Sequence, residues 1–139
     1  MDVSVKKVMD DLVENAKVAF VSCVDPEGFP ATKAMLALEH DGLKVHYFST
    51  NTAAQRTQRF RENPKACVYY CDQSDYKGLL LTGEMEVTTD MDLKKRLMRE
   101  GFEMYYPKGV DDEDYSVLKF TARKGNYYHG LHNESFDVE

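Results

Sequence analysis

Three arginines, Arg56, Arg59 and Arg61, fall within six residues of one another behind a run of hydroxyl side chains, in KVHYFSTNTAAQRTQRFRENP. The chemistry such a stretch offers is anion binding. A helix that starts behind Ser/Thr/Asn residues presents free backbone N–H groups and the positive end of its dipole, which suits a phosphate. Thr52 followed three residues on by Gln55 is a capping-box pattern and predicts a helix start near Ala53. Asn63-Pro64 ends the helix, because the residue before proline disfavours the α region. The plainer alternative is an amphipathic helix with a solvated basic face. No glycine-rich phosphate loop is present, so neither a nucleotide P-loop nor a dinucleotide-binding turn is supported.

Lys33 is a second candidate cation. Strand alternation puts it with Ala31, Met35 and Ala37, and puts Ala34, Leu36 and Leu38 on the other face. A lysine among small residues is either simply exposed or faces a bound anion. Cys67 and Cys71 share one face of an apolar strand and read as buried small hydrophobes rather than a metal pair. His129 and His132 in HGLH lack the Cys or carboxylate partners of a zinc signature, so no metal site is expected.

These residues need elements to hold them. Apolar positions Val5, Val8, Met9, Leu12, Val13 and Ala16 predict a first helix over 3–16. Residues 18–25 are a near-continuous apolar run of strand length, followed by the turn Asp25-Pro26-Glu27-Gly28. A second strand over 29–40 passes through Asp41-Gly42 into a third over 44–49, giving an antiparallel meander. In that third strand Val45 and Tyr47 face one way, His46 and Phe48 the other. Further strands are expected over 66–72, 78–89, 115–121 and 126–129, with a long helix over 91–104 and a solvated acidic loop or helical turn at 111–114. The sum is a mainly β (α+β) fold, a small antiparallel barrel flanked by helices.

Composition narrows the function. The 139 residues suit one domain over 1–139, and 42% hydrophobic with 30% charged residues is ordinary for a water-soluble chain. No apolar run reaches the roughly 20 residues of a membrane span, and the N-terminus does not read as a signal peptide. A cytoplasmic location and reduced thiols are the expectation. A net charge of −6 argues against nucleic acid as partner.

The succession DPEGFPATKAML, VHYFSTNTAAQR, ENPKACVYY, YKGLLLTGEMEV and YSVLKFTARKGNYY resembles the pyridoxamine 5'-phosphate oxidase-like, FMN-binding split β-barrel superfamily, especially its small general-stress-protein branch. The resemblance runs from about residue 5 to about residue 129 and is most specific between Gly28 and Tyr70. It implies a Greek-key-like split barrel with FMN as cofactor. It places Lys33 at the family's basic strand position and Ala34, Met35 and Leu36 along the isoalloxazine edge. Ser49 and Thr50 match the strand-end pair at the flavin. The family's Ser-Arg-Lys at the helix start is Ala54, Gln55 and Arg56, so one basic side chain is exchanged for an amide. Gly78 stands where glutamine is common, and Tyr128 where many relatives carry tryptophan. The resemblance also implies a homodimer with flavin at the interface, close to Tyr128 of the partner subunit, a small-molecule substrate, and NAD(P)H as a conceivable donor. Leu38 and Gly130-Leu131-His132 stand where true pyridoxamine-phosphate oxidases carry lysine and Arg-x-His, which argues against that activity. The expected function is a flavin-dependent oxidoreductase. The alternative is a non-catalytic flavin- or haem-binding stress module, with His46, His129 and His132 as iron-ligand candidates.

Overall fold

The computed structural model describes residues 1–139. Helix α1 spans Val3–Asn15, with the Asp2 carboxylate accepting from the Ser4 N–H at its start. Its stripe of Met9, Leu12 and Val13 is buried in the main core. Strand β1 (Val18–Val24) turns at Gly28, whose φ of 88° needs a residue without a β-carbon, into β2 (Pro30–Leu36). The short β3 (His40–Asp41) and β4 (Val45–Asn51) form a second hairpin. Helix α2 (Gln55–Glu62), β5 (Lys65–Asp72), β6 (Lys77–Thr88), α3 (Met91–Leu97), β7 (Tyr115–His129) and β8 (His132–Asp137) complete the chain.

All eight strands belong to one antiparallel sheet with the order β2-β1-β5-β6-β7-β4-β3, and β8 adds to the far half of β7. The expected meander is therefore broken. The β1–β2 and β3–β4 hairpins lie at opposite ends of the sheet although they adjoin in sequence. Residues 37–39 connect them: the Ala37 N–H donates to the Lys17 carbonyl (3.0 Å) and the Tyr47 N–H to the Glu39 carbonyl (2.9 Å). That covalent link between the two sheet ends forces the sheet to curl into a barrel that stays split between β2 and β4. The fold class read from the sequence is the one observed.

Alternation fills the barrel as the sequence implied. His46, Phe48 and Thr50 of β4, Val68 and Tyr70 of β5, and Leu79 and Leu81 of β6 are buried. Two predicted elements differ. The helix expected over 91–104 stops at Leu97, where Met98 turns extended (ψ 135°), and a separate 3-10 turn (Phe102–Met104) starts behind Gly101, which has a left-handed φ of 92°. The two last strands are one continuous β7, kinked where the register shifts beside Gly83. A β-carbon at Gly83 would meet the Thr121 carbonyl oxygen at 2.0 Å, so only glycine fits there. A smaller core of Leu97, Phe102, Tyr106, Tyr115 and Val117 packs with Tyr47, Leu38 and Leu93 around β4 and β7.

Candidate functional site

A cleft of about 300 Å³ lies where α2 passes over one end of β1 and β2. Val21, Cys23 and Ala31 form its apolar floor, and Lys33, Gln55, Arg56 and Arg59 rim it. The sequence dictates this meeting. Val21 pairs with Lys33, so Lys33 shares the face of β1 that carries Ala19, Val21 and Cys23, all buried. On α2, residues 55, 56, 59 and 60 fall on one side, and buried Phe60 pins that side to the barrel.

The helix start is built differently from the capping box. Helix α2 begins at Gln55, and its N-cap, Ala54, supplies no side-chain bond. The Thr52 hydroxyl is committed elsewhere, to Ser116 Oγ (2.6 Å) and to the Glu113 carbonyl (3.2 Å). Asp114 takes over as the organiser, accepting from the Ala53 N–H (2.9 Å) and from Asn51 Nδ2 (2.7 Å). The acidic run is thus not merely a solvated loop. Asp112 is buried as well, and N–H groups of Lys108 and Asp114 hold its carboxyl below the ordinary range.

The electrostatics favour an anion in this cleft. Lys33, Arg56 and Arg59 have no carboxylate within ion-pair distance, whereas Arg96 and Arg99 lean on Glu39 and Arg123 on Glu84. Arg56 Nε is buried without a hydrogen-bond partner. A buried guanidinium donor left open costs about 1–3 kcal/mol unless something accepts from it. A phosphate oxygen would do so, with two parallel N–H···O bonds available to the fork. Tyr106, nearly fully buried and stacked on Tyr115 at 4.5 Å, stands nearby. Burial raises its phenol pKa, and the Ser49 hydroxyl and Arg56 charge partly offset that. Sequence reading missed Tyr106, which lies far from α2 along the chain and carries no local signal.

The other candidates divide into those that flank the cleft's strand and those that do not. Ala34 and Leu36 are exposed on the outer face of β2, while Met35 points into the core. Thr50 is buried beneath α2, its hydroxyl 3.1 Å from that of Thr57. Ser49 lies on the opposite face of β4, by Tyr106. Gly78 and Tyr128 are paired across β6 and β7. Tyr128 Oη is 2.7 Å from Tyr69 Oη, and a β-carbon at Gly78 would strike both rings. Neither lines the cleft. His46 is buried with both ring nitrogens engaged, by Tyr70 (2.8 Å) and by the Leu43 carbonyl (2.9 Å). His129 and His132 face each other across a hairpin and lean on different carboxylates, Asp75 and Glu134.

An antiparallel barrel split between β2 and β4, with a cationic cleft under a short helix, defines the class. The family profile for pyridoxamine 5'-phosphate oxidase matches residues 5–129. A solved structure from Clostridium acetobutylicum agrees with this chain at 40% identity and a TM-score of 0.91, covering 99% of this chain and 97% of its own. That protein is described as related to general stress protein 26 of B. subtilis, of the pyridoxinephosphate oxidase family. This chain belongs to the pyridoxamine 5'-phosphate oxidase family. General stress protein 26 from Bacillus anthracis shares the fold at 16% identity, with a TM-score of 0.82 over 98% of this chain and 100% of that one. A heme binding protein from Mycobacterium smegmatis shares it at 15% identity and a TM-score of 0.77, over 99% of this chain and 59% of that one. No curated protein matches in sequence.

Proposed function

We propose that the chain is an FMN-binding flavoprotein acting as an oxidoreductase on a small molecule, with the FMN phosphate in the α2 cleft. The observation that carries this reading is the set of uncompensated cations there, above all the orphaned Arg56 Nε. Lys33 supplies a second positive charge from β2, and Gln55 an amide at the helix start. FMN bound there would supply the electron or hydride transfer. The protein's own part is to bind, orient and exclude water. Strand β2 is a sheet edge, so a ligand anchored on its inner side by Lys33 can pass over to the outer side, where Ala34 and Leu36 are exposed. Met35 contributes only backbone in that arrangement.

In this reading the working unit is a homodimer with flavin at the interface, close to Tyr128 of the partner subunit. Its support is an apolar outer sheet face that joins neither core cluster. Val18 and Leu36 are 43% and 49% exposed, and Phe20, Tyr69 and Leu80 are half-buried beside them. Self-complementary pairing is the commonest way to cover such a face. The chain should take up FMN on reconstitution, with quenched flavin fluorescence, sediment at twice the chain mass, and be reduced by NADH or NADPH with turnover. A monomer that leaves flavin fluorescence unchanged would end the proposal, and a dimer that holds FMN without turnover would make it a binding module.

A further inference from the structure

The cleft holds one cation more than family likeness supplies. Arg59 lines it together with Lys33 and Arg56, one helical turn beyond Gln55. Arg56 and Arg59 lie about 4.5 Å apart along the axis and on adjoining faces, close enough to grip one small anion from two levels. Of the chain's six arginines, the three outside α2 lean on glutamates. Arg61 is exposed and points away from the cleft. Arg56 and Arg59 are left facing Lys33 without an acid, in a protein of net charge −6. Like charges gathered in a partly dry cleft repel one another until an anion joins them.

Arg59 is also aimed. Its Nη2 donates to Gln55 Oε1 at 3.4 Å, which draws the guanidinium back along the helix toward the uncapped first turn. Buried Phe60 holds the same side of α2 against the barrel. The position at the helix start where a basic side chain is missing therefore has an arginine one turn later, steered toward it by the amide that replaced it.

We propose that Arg59 is a phosphate-binding residue positioned by Gln55, and that with Lys33 and Arg56 it makes the cleft select a phosphomonoester dianion over an uncharged ligand. This rests on the cleft being the FMN phosphate site and goes beyond it by giving Arg59 and Gln55 their roles. A guanidinium fork suits this task better than an ammonium, since it can offer two parallel donors to one phosphate.

The test titrates the full chain and its Arg59→Gln, Arg59→Lys, Gln55→Ala and Arg56→Ala variants with FMN, riboflavin and inorganic phosphate. Arg59→Gln should weaken FMN and phosphate by about tenfold each, as loss of one charge-assisted contact does. It should leave riboflavin affinity and the melting temperature unchanged. Arg59→Lys should recover part of the loss, and Gln55→Ala should weaken FMN by a few fold. FMN and phosphate affinities within twofold of wild type in Arg59→Gln, beside a clear loss in Arg56→Ala, would overturn the role of Arg59 and leave the FMN site standing. Equal affinity of the wild-type chain for FMN and riboflavin would overturn both. Should Arg59→Gln fail to fold, full FMN affinity in Arg59→Lys would overturn the need for a guanidinium fork.

Discussion

The His46–Tyr70 pair inside the barrel and the Lys33–Arg56–Arg59 cleft at its edge both set polar groups against apolar walls, and they are finished in opposite ways. His46 donates from Nε2 to the Leu43 carbonyl and accepts at Nδ1 from the Tyr70 hydroxyl, so the pair is complete within the chain. Burial then drives the imidazole pKa down from its ordinary 6.5 to about 4 and raises that of the Tyr70 phenol. The cleft is the reverse, with charges assembled and no acid supplied to meet them. A completed polar pair fixes strand register and stability, and an incomplete one is a place for a ligand.

The largest effect should come from acidifying the completed pair. A folded pKa of about 4 against 6.5 unfolded means that the unfolded chain binds the extra proton first. The stability that neutral His46 contributes is therefore fully present above pH 6.5 and is lost as pH falls from 6.5 toward 4. The amount is on the order of 3 kcal/mol. Urea unfolding at stepped pH should show this slope over and above the carboxylate contribution, and His46→Gln should remove it. The same slope in both proteins would show that the pair is not the source.

Next comes the cleft's central cation. Arg56→Ala should weaken FMN by about tenfold or more, since charge-assisted hydrogen bonds contribute roughly 1.5–3 kcal/mol. The unfolding free energy of the flavin-free variant should not fall, because relief of a buried donor that has no protein partner offsets the packing lost with the side chain. A variant that lost stability but kept FMN affinity would erase the contrast between the two regions.

Asp114→Ala lies between the two kinds of site. It removes the acceptor for Ala53 N–H and Asn51 Nδ2, bonds internal to the chain, so stability should fall by about 0.5–2 kcal/mol, as it does when a helix cap is lost. Because that carboxylate shapes the approach to α2, FMN affinity should fall too, by a few fold. Thermal unfolding and flavin titration on one preparation would show whether the losses travel together.

What could be read in the sequence followed from whether its cause was local. Alternation in VHYFST assigned the two faces of β4, and the DPEG and DG turns gave both hairpins, because each signal sits within a few residues. Sheet order did not follow, since β4 pairs with β7 across about half the length of the chain. Strand β8 went unseen because HNESFD offers Phe136 as its single large apolar residue, laid over Gly125. The Thr52 cap failed for the same reason: a distant Ser116 claims the hydroxyl. Lys33 and Arg56 could be named as site candidates from their neighbours. Tyr106 and Asp114 could not, because only the folded chain brings them to α2.

The smallest effect sharpens the comparison most, because it separates cations that the sequence grouped together. Arg61 shares the helix and the charge of Arg56 and Arg59, but the helical phase turns it outward, where it is exposed and touches neither the cleft nor any carboxylate. If the basic run acted as a diffuse electrostatic patch, each arginine would count about equally toward an anionic ligand, and salt would screen all three alike. If the cleft acts through placed donors, Arg61 contributes only a screened long-range attraction. Arg61→Ala should therefore leave stability within about 0.5 kcal/mol of wild type, as for an ordinary surface substitution. FMN affinity at physiological salt should stay within about twofold, a value set by the roughly 8 Å screening length. A tenfold loss in that variant would mean that α2 works as a basic surface, and that the distinction between completed and open polar sites does not govern binding here.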